Sequence, residues 1–481
     1  MVRRTRIAAV LTLAVINVFT LAAGIAVARM LPPRLAALKV PTVAAGPLTV
    51  ADPVLGSGGT GTQDSPMPTT SGLLTALAGP LSAPALGPHV SALVADPVTG
   101  RVLLSEHGSR PMTPASTTKL ATGLAALAVL GQNARFTTKV VRGATPGSIT
   151  LVGGGDPTLA VNPFPAQDYP QPATLASLAK ATARTLKAQG RRTVVLGYDT
   201  SLYTGPGLAP GWPAAYVTGG DVTPIVPLEV DQGRLTAAGQ PEDSDDPYNL
   251  AARSQDPAGM AASAFAGLLT ADGIHVSGAP QPQTAATRSA TLASVTSPPL
   301  SALVAQMLEE SNNVIAENLA RHVAIATGQP ASFSGAAAAE MSVLRGLGVT
   351  GVHLVDGSGL SPRDRITPTA LVAIIGRAAA ADQSRLRAAI TGLPVAGFSG
   401  TLAPGGSVFA EAGRAALGLV RAKTGNLNTV AALAGIAYAR NGQLLSFAVM
   451  ADKLKMGALD QAGAQIARVA TALARCGCRA G

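Results

Sequence analysis

Apolar and polar positions change their rhythm several times along this chain, and each change marks an element. After Arg3, Arg4 and Arg6, an uncharged and mostly apolar run extends from Ile7 to Ala28. Such a run behind a basic flank is an export signal. It exceeds the usual signal-peptide core and matches the roughly 20 residues needed to cross a bilayer. Ala26-Val27-Ala28 also offers a small-residue cleavage site, so a cleaved signal and an uncleaved anchor both stand, with the anchor favoured. Residues 1–31 are assigned to this signal or membrane anchor, and the rest is expected outside the cytoplasm, membrane-anchored or secreted to the cell wall or periplasm. From 32 to 88 sustained periodicity lapses. This segment is rich in Pro, Gly, Ser, Thr and Ala, as in Gly56–Thr62, and predicts a flexible tether with a short helix near Leu73–Leu77.

Regular patterning begins near Val90. Ser91–Ala95 and Val102–Ser105 read as strands around the turn-rich link Asp96–Gly100. A helix follows to Leu130, stopped by Gly131, then strands over Thr137–Arg142 and Ser148–Val152. The texture then changes. A helix (Leu175–Gln189), a strand (Thr193–Tyr198) and a helix (Pro257–Asp272) are separated by a Pro/Gly-rich passage holding Trp212 and by an acidic loop, Glu242–Asp246. We read 161–290 as one or two inserted domains. Amphipathic helices return at Leu300–Glu309 and Val314–Ala326. Val420–Lys423, Thr429–Ala439 and Leu444–Met450 read as strands, the last two around the hairpin signal Asn441-Gly442, and Leu459–Arg475 closes the pattern as a helix. Strands first and last with helices between predict an α+β fold. An antiparallel sheet would come from both ends of a catalytic domain, 89–160 and 291–475, with helices packed on it.

Composition narrows the function. The chain has 481 residues, of which 47% are apolar but only 3% aromatic, so its core must be built from Ala, Val and Leu. The net charge is +10, yet the arginines are scattered and no basic run is interleaved with aromatics. That argues for attraction to an anionic envelope or membrane surface and against nucleic acid as a partner. Five dispersed histidines lack metal spacing, and His322, on an apolar helix, reads as a core or surface residue. Cys476 and Cys478 have no companions that would complete a zinc site. They read as an incidental tail, with a local disulfide as the alternative. Gly153–Gly155 fits no phosphate-loop pattern and reads as a tight turn, and no G-x-S-x-G elbow occurs. No metal and no cofactor are implied.

Candidate chemistry centres on Thr113-Pro114-Ala115-Ser116-Thr117-Thr118-Lys119. Thr113 is expected to cap the helix and Pro114 to occupy its first position. Ser116 and Lys119, three apart, would then share a face. A serine near a helix N-terminus suits a reaction that generates an oxyanion, and Lys119 is its nearest base. Alone the pair is a weak signal. Two further elements follow: Ser311-Asn312-Asn313 between two predicted helices, and Lys423-Thr424-Gly425 ending a strand. The ordered triple resembles the penicillin-binding proteins and serine β-lactamases. More closely, the chain resembles the D-alanyl-D-alanine carboxypeptidases/endopeptidases, the class C low-molecular-mass penicillin-binding proteins. The matching stretches are Gly153–Leu159, Ser297–Ala320, Asp356–Leu360, Leu393–Leu402 and Ala422–Gly435, together with the long insert between Ser116 and Ser311. The resemblance spans roughly residues 85–460. Asn426 stands where that family often carries a small hydroxyl residue.

The resemblance implies a transpeptidase-type fold with an inserted domain and a serine D,D-carboxypeptidase, also able to act as an endopeptidase. Its partners would be peptidoglycan peptides, with β-lactams as inhibitors; the membrane, as a partner reached through the N-terminal segment, is expected from the Ile7–Ala28 run alone. The catalytic residues would be Ser116, Lys119, Ser311 and Asn313. Lys423, Thr424, Gly425 and Asn426 would bind substrate. Ser116 would attack a peptide carbonyl to give an acyl-enzyme, with neutral Lys119 taking its proton. Burial and the second cation, Lys423, are expected to lower the Lys119 pKa. Ser311 would relay a proton to the leaving amine, and Asn313 would orient Lys119 and hold a substrate amide. The N–H groups of Ser116 and Asn426 would form the oxyanion hole. Gly425 would leave room for a substrate strand, and Lys423 and Thr424 would bind a terminal carboxylate. Asp356 is expected to form a turn. The alternatives are a β-lactamase or esterase on the same scaffold, and a non-catalytic wall-binding protein.

Overall fold

Successive strand residues divide between two cores, and this division organises the fold. The computed structural model describes residues 66–236, 251–404, 409 and 414–478. The expected signal or anchor and most of the expected tether lie outside the described residues. The first described helix, α1 (Thr70–Leu81), is capped by Thr69, whose hydroxyl accepts from the Gly72 N–H. Its Leu73 and Leu77, one turn apart, are fully buried. The tether expected up to residue 88 therefore ends earlier, because this helix is part of the packed fold.

Strands β1 (Val90–Ala95) and β2 (Val102–Glu106) pair as a hairpin, and helix α2 (Thr118–Leu130) follows. Every residue of α2 from Thr118 to Leu127 is buried. Such a helix must be ringed by others, and its small residues (Ala121, Gly123, Ala125, Ala126) let them approach closely.

The next elements build a second sheet. They are β3 (Thr137–Arg142), β4 (Ser148–Val152), α3 (Leu175–Ala188), β5 (Thr193–Asp199), α4 (Pro257–Ala271), β6 (His275–Val276), β7 (Gln281–Pro282) and β8 (Thr291–Thr296). The strand order is β6-β5-β4-β3-β8, with β7 beside β5. Strand β3 is antiparallel to β4 and β8, whereas β4, β5 and β6 run parallel. Helices α3 and α4 share an apolar core with the sheet. Strands β3, β4 and β8, assigned from sequence to the catalytic domain, are thus hydrogen-bonded into the sheet of the insert. That sheet spans 137–296 rather than 161–290. Local periodicity identified β3 and β4 but not β8, and the partners of all three are fixed only by pairing distant in sequence.

Helices α5 (Leu300–Glu309), α6 (Asn313–Ala326) and α7 (Phe333–Gly346) then pack around α2. Asn312 caps α6, its side-chain oxygen accepting from the Ile315 N–H at 3.1 Å. A two-stranded ribbon, β9 (Val352–His353) with β10 (Arg365–Ile366), holds the base of the loop that carries Asp356. After α8 (Pro368–Ala379) come β11 (Val420–Leu427), β12 (Val430–Tyr438), β13 (Leu444–Asp452) and α9 (Leu459–Arg475). The main sheet has the order β11-β12-β13-β1-β2 and is antiparallel.

Alternation along its strands feeds both faces. Ala432, Ala434, Ile436, Ala448 and Met450 enter the core with α2 and α5 to α8. Ala431, Leu433, Phe447, Val449 and Ala451 enter the core under α1 and α9. Because both faces are covered, the strands read as nearly continuous apolar runs. The C-terminal tail belongs to this second layer too. Cys476 is buried and disulfide-bonded to Cys478, whose carbonyl accepts the Thr69 N–H at 3.0 Å. The reading of an incidental tail is corrected accordingly. Truncating Leu77 to alanine should cost about 2–5 kcal/mol in a denaturant titration, as for other fully buried leucines. An unchanged midpoint would return this segment to the tether.

Candidate active site

The Thr113–Lys119 stretch folds differently from a simple capped helix. Thr113 does not cap it; its N–H donates to an Asp452 carboxylate oxygen at 3.1 Å, and its hydroxyl accepts from Arg365. Pro114 precedes a 3-10 turn, Ala115–Thr117, and the α-helix starts only at Thr118. The Thr117 hydroxyl donates to the Pro114 carbonyl at 2.7 Å and tightens that turn. Ala115 has φ 48°, a left-handed conformation that alanine adopts at a cost. This kink presents Ser116, half-buried, beside the first turn of α2. The three-residue spacing still aligns Ser116 and Lys119 because side chains three apart eclipse in a 3-10 turn.

Two glycines flank the kink. At Gly425 on β11, a Cβ would lie 2.5 Å from the Pro114 carbonyl oxygen. At Gly359, with φ +83°, a Cβ would overlap the Ala115 carbonyl. Gly425 was expected to make room for a substrate strand. Its lack of a side chain instead admits this chain's own backbone.

Lys119 is fully buried, and three oxygens surround its amine: Ser116 Oγ at 2.9 Å, Asn313 Oδ1 at 2.7 Å and the Ser358 carbonyl at 2.8 Å. Burial brings its pKa down to about 7, against the opposing pull of Asp356 and Glu317. Lys119 and Lys423 repel each other when both are charged, as expected. Burial, and then the charge of Lys119, hold Lys423 well below its usual range. Lys423, on β11, is fully buried, and its amine donates to the Thr424 carbonyl oxygen at 2.9 Å. Thr424 in turn shares a hydrogen bond with Thr401 at 3.1 Å.

Ser116, Ser311, Asn313 and Asn426 line one cavity of about 640 Å³, together with Tyr216 and Arg365. Ser311 has φ 60°, a second strained residue at the site. Strand β11 is an edge of the main sheet. Among the described residues its outer side pairs at the start, where the Ala422 N–H donates to the Pro394 carbonyl and the Val420 carbonyl accepts from Ala396. Backbone groups alternate sides along an antiparallel strand, so Thr424 and Asn426 also direct theirs outward. An acyl oxygen held between the Ser116 and Asn426 N–H groups would have its developing charge stabilised there.

Several residues were not read from sequence. Asp356 does form a turn, accepting from the Gly359 and Ser361 N–H groups, but it also accepts the Trp212 indole N–H at 2.8 Å. The Asp221 carbonyl accepts from Asn313 Nδ2 at 2.9 Å and so fixes which way that amide points. Glu317 binds the Gly357 and Ser358 N–H groups. One signal could have found Glu317, because it lies four residues after Asn313 and so on the same helical face. His322 is a core residue, stacked on Phe136 at 3.6 Å.

Fold and cavity together fit the penicillin-binding-protein class of serine-type peptidases. The D-Ala-D-Ala carboxypeptidase 3 (S13) family matches residues 73–247 and 234–473. Carboxypeptidase DacB of Mycolicibacterium smegmatis is 39% identical over 420 residues, covering 86% of each chain. Carboxypeptidase Rv3627c of Mycobacterium tuberculosis is 36% identical over 455 residues, covering 93% of this chain and 90% of its own. Penicillin binding protein 4 (dacB) of Haemophilus influenzae shares the fold with a TM-score of 0.65 at 22% identity, over 83% of this chain and 98% of that one. This chain belongs to the D-Ala-D-Ala carboxypeptidase S13 family. Replacing Gly425 with alanine should push β11 away from the Ser116 turn. We expect acylation by a labelled penicillin to slow about tenfold or more, with little change in melting temperature. An unchanged rate would show that this contact does not set the site.

Proposed function

We propose that Ser116 is the acylated nucleophile of a D,D-carboxypeptidase that removes the terminal D-alanine from peptidoglycan stem peptides. The observation that carries this is the Lys119 amine, buried and held 2.9 Å from Ser116 Oγ. With its pKa near 7, an appreciable fraction of Lys119 is neutral at neutral pH and able to accept the serine proton. Ser116 Oγ adds to the carbonyl of the penultimate D-alanine, and the oxyanion rests on the Ser116 and Asn426 N–H groups. Collapse breaks the peptide bond, and the proton returns through Lys119 or Ser311 to the departing amine. Water then hydrolyses the ester and regenerates Ser116. Asn313 has one amide hydrogen on Asp221 and a second left for a substrate carbonyl. Lys423 and Thr424 are the residues proposed to bind a terminal carboxylate at the β11 edge, with Lys423 taking up a proton as the anion arrives. The related D-alanyl-D-alanine carboxypeptidase of Actinomadura sp., 30% identical over 440 residues, supports this substrate class.

β-Lactams should acylate the same serine and stay. The Haemophilus influenzae protein has been solved complexed with a novel beta-lactam, at a TM-score of 0.58 to this chain. Of the glutamates between the second and third motifs, Glu317 and Glu340 are buried in helices α6 and α7. Glu317 has its oxygens engaged by backbone N–H groups. Glu411 lies outside the described residues, and none of the three has asparagine four positions on. The cleaved lactam also stays tethered and obstructs water. We further infer that the Ile7–Ala28 run carries the enzyme out of the cytoplasm and anchors it to the outer face of the membrane.

A labelled penicillin should give an adduct lasting minutes to hours on the wild type and none on Ser116→Ala, and a muropeptide ending in D-Ala-D-Ala should lose one D-alanine. Rapid penicillin turnover would favour the β-lactamase reading, and release of cross-linked stems would add endopeptidase activity. Acylation should rise with pH through about 7, because the protonated Lys119 that dominates below that value cannot accept a proton. Lys119→Arg should abolish acylation, since a guanidinium keeps its proton. A residual rate above about a tenth of wild type would assign the base elsewhere.

A further inference from the structure

Two of the three oxygens that hold Lys119 trace back to helix α6. Asn313 contributes its own Oδ1. The second route is indirect. The Ser358 carbonyl accepts from Lys119, while the N–H of the same residue donates to Glu317 Oε1 at 2.7 Å. The neighbouring Gly357 N–H donates to both Glu317 oxygens, at 3.1 and 3.2 Å. The Gly357 carbonyl accepts from Thr122, one turn beyond Lys119 on α2. The Gly357–Ser358 backbone is therefore suspended between α6 and the helix that carries Lys119. Glu317 is only 1% exposed, and a carboxylate so buried is costly unless its hydrogen bonds and neighbouring charges are in place.

We propose that Glu317 is a positioning residue for Lys119. Its carboxylate grips the Gly357–Ser358 backbone, so that the Ser358 carbonyl holds the amine against Ser116. Its charge also balances the ammonium formed when Lys119 takes the serine proton. This role rests on the reading of Ser116 as nucleophile and Lys119 as base.

The surrounding charges make the role measurable. Facing Glu317 are Asp356 and Asp364 from the loop, Glu340 from α7, Arg321 on its own helix and Lys119 on α2, with Lys423 behind Lys119. Burial and then Asp356 push Glu317 up to about 7, while the loop N–H groups and Arg321 pull it back. Burial also holds Glu340 and Asp364 well above the usual carboxylate range. Where Glu317 is ionised, from about pH 7 upward, it raises the Lys119 pKa, and removing that charge lowers it. The acid limb of the acylation rate would then move to lower pH. A residue that only held the fold would reduce the rate and leave the limb in place.

The test is penicillin acylation of the full chain across about pH 5–9, for wild type, Glu317→Gln and Glu317→Asp, with melting curves for each. We expect Glu317→Gln to slow acylation about tenfold or more at its optimum and to move the acid limb down by about half a pH unit or more. Glu317→Asp should keep the limb and recover much of the rate. A wild-type rate in Glu317→Gln, or a slowed rate with the limb unmoved, overturns the proposal. If Glu317→Gln fails to melt cooperatively, Glu317→Asp decides. A loss of about threefold with the limb and the melting temperature both unmoved upholds the role, and a wild-type rate, or a loss that comes with a lowered melting temperature, overturns it. Wild-type protein that forms no adduct at Ser116 would count against the nucleophile assignment and not against Glu317.

Discussion

Much of this structure is arranged to keep one amine dry. A lysine with no water around it loses its preference for the charged form, and only then can it take a proton from serine. Lys119 reaches that state because α2 is buried over its whole first half, ringed by α5, α6, α7 and α8. Desolvation alone would leave the amine without partners. Three acceptors meet it instead, from the Ser116 turn, from α6 and from the Ser358 loop. Each comes from a different part of the chain, so the site exists only when all three are docked.

The inserted region takes part in that docking. Its Asp221 carbonyl orients Asn313, its Gln232 accepts from the Asn312 side chain at 2.9 Å, and its Trp212 binds Asp356. Tyr203 adds a hydrogen bond to Asn318 on α6. These contacts fall on the motif after Ser311 and on the loop that meets Lys119. Strain is concentrated at the same places: Ala115, Ser311, Asp231 and Gln232 all have positive φ. Backbone held in such conformations persists where the surroundings over-determine it. The glycines at 359 and 425 are the other half of the Ala115 kink, because a side chain at either would close the space that it needs.

The scarcity of aromatic residues fits the same plan. A sheet covered on both faces by helices needs small, regular side chains, and alanine fills many of its inward positions on both sides. The few large polar contacts are thereby reserved for the junction of the insert with α6 and the Ser358 loop. Charge in that junction is dense and buried, so the protonation of Lys119 and of the acids around it are linked.

Sequence alone determined the elements and their chemistry. Alternation and amphipathicity placed the outer strands and the closing helix, Leu459–Arg475, because those signals are local. The three motifs singled out Ser116, Lys119, Ser311, Asn313 and Lys423–Asn426 as candidates, because residue type and order along the chain are readable without the fold. Tertiary structure decided what depends on neighbours distant in the chain. It moved Thr113 from cap to Asp452 partner, assigned β3, β4 and β8 to the sheet of the insert, and drew 66–88 into the fold. It also set Gly425 in close contact with the Pro114 carbonyl, and brought the Ser358 carbonyl to Lys119 with Glu317 behind it. Pairing, burial and the pKa of an amine are properties of what surrounds a residue, and in this chain those surroundings come from segments far apart in sequence.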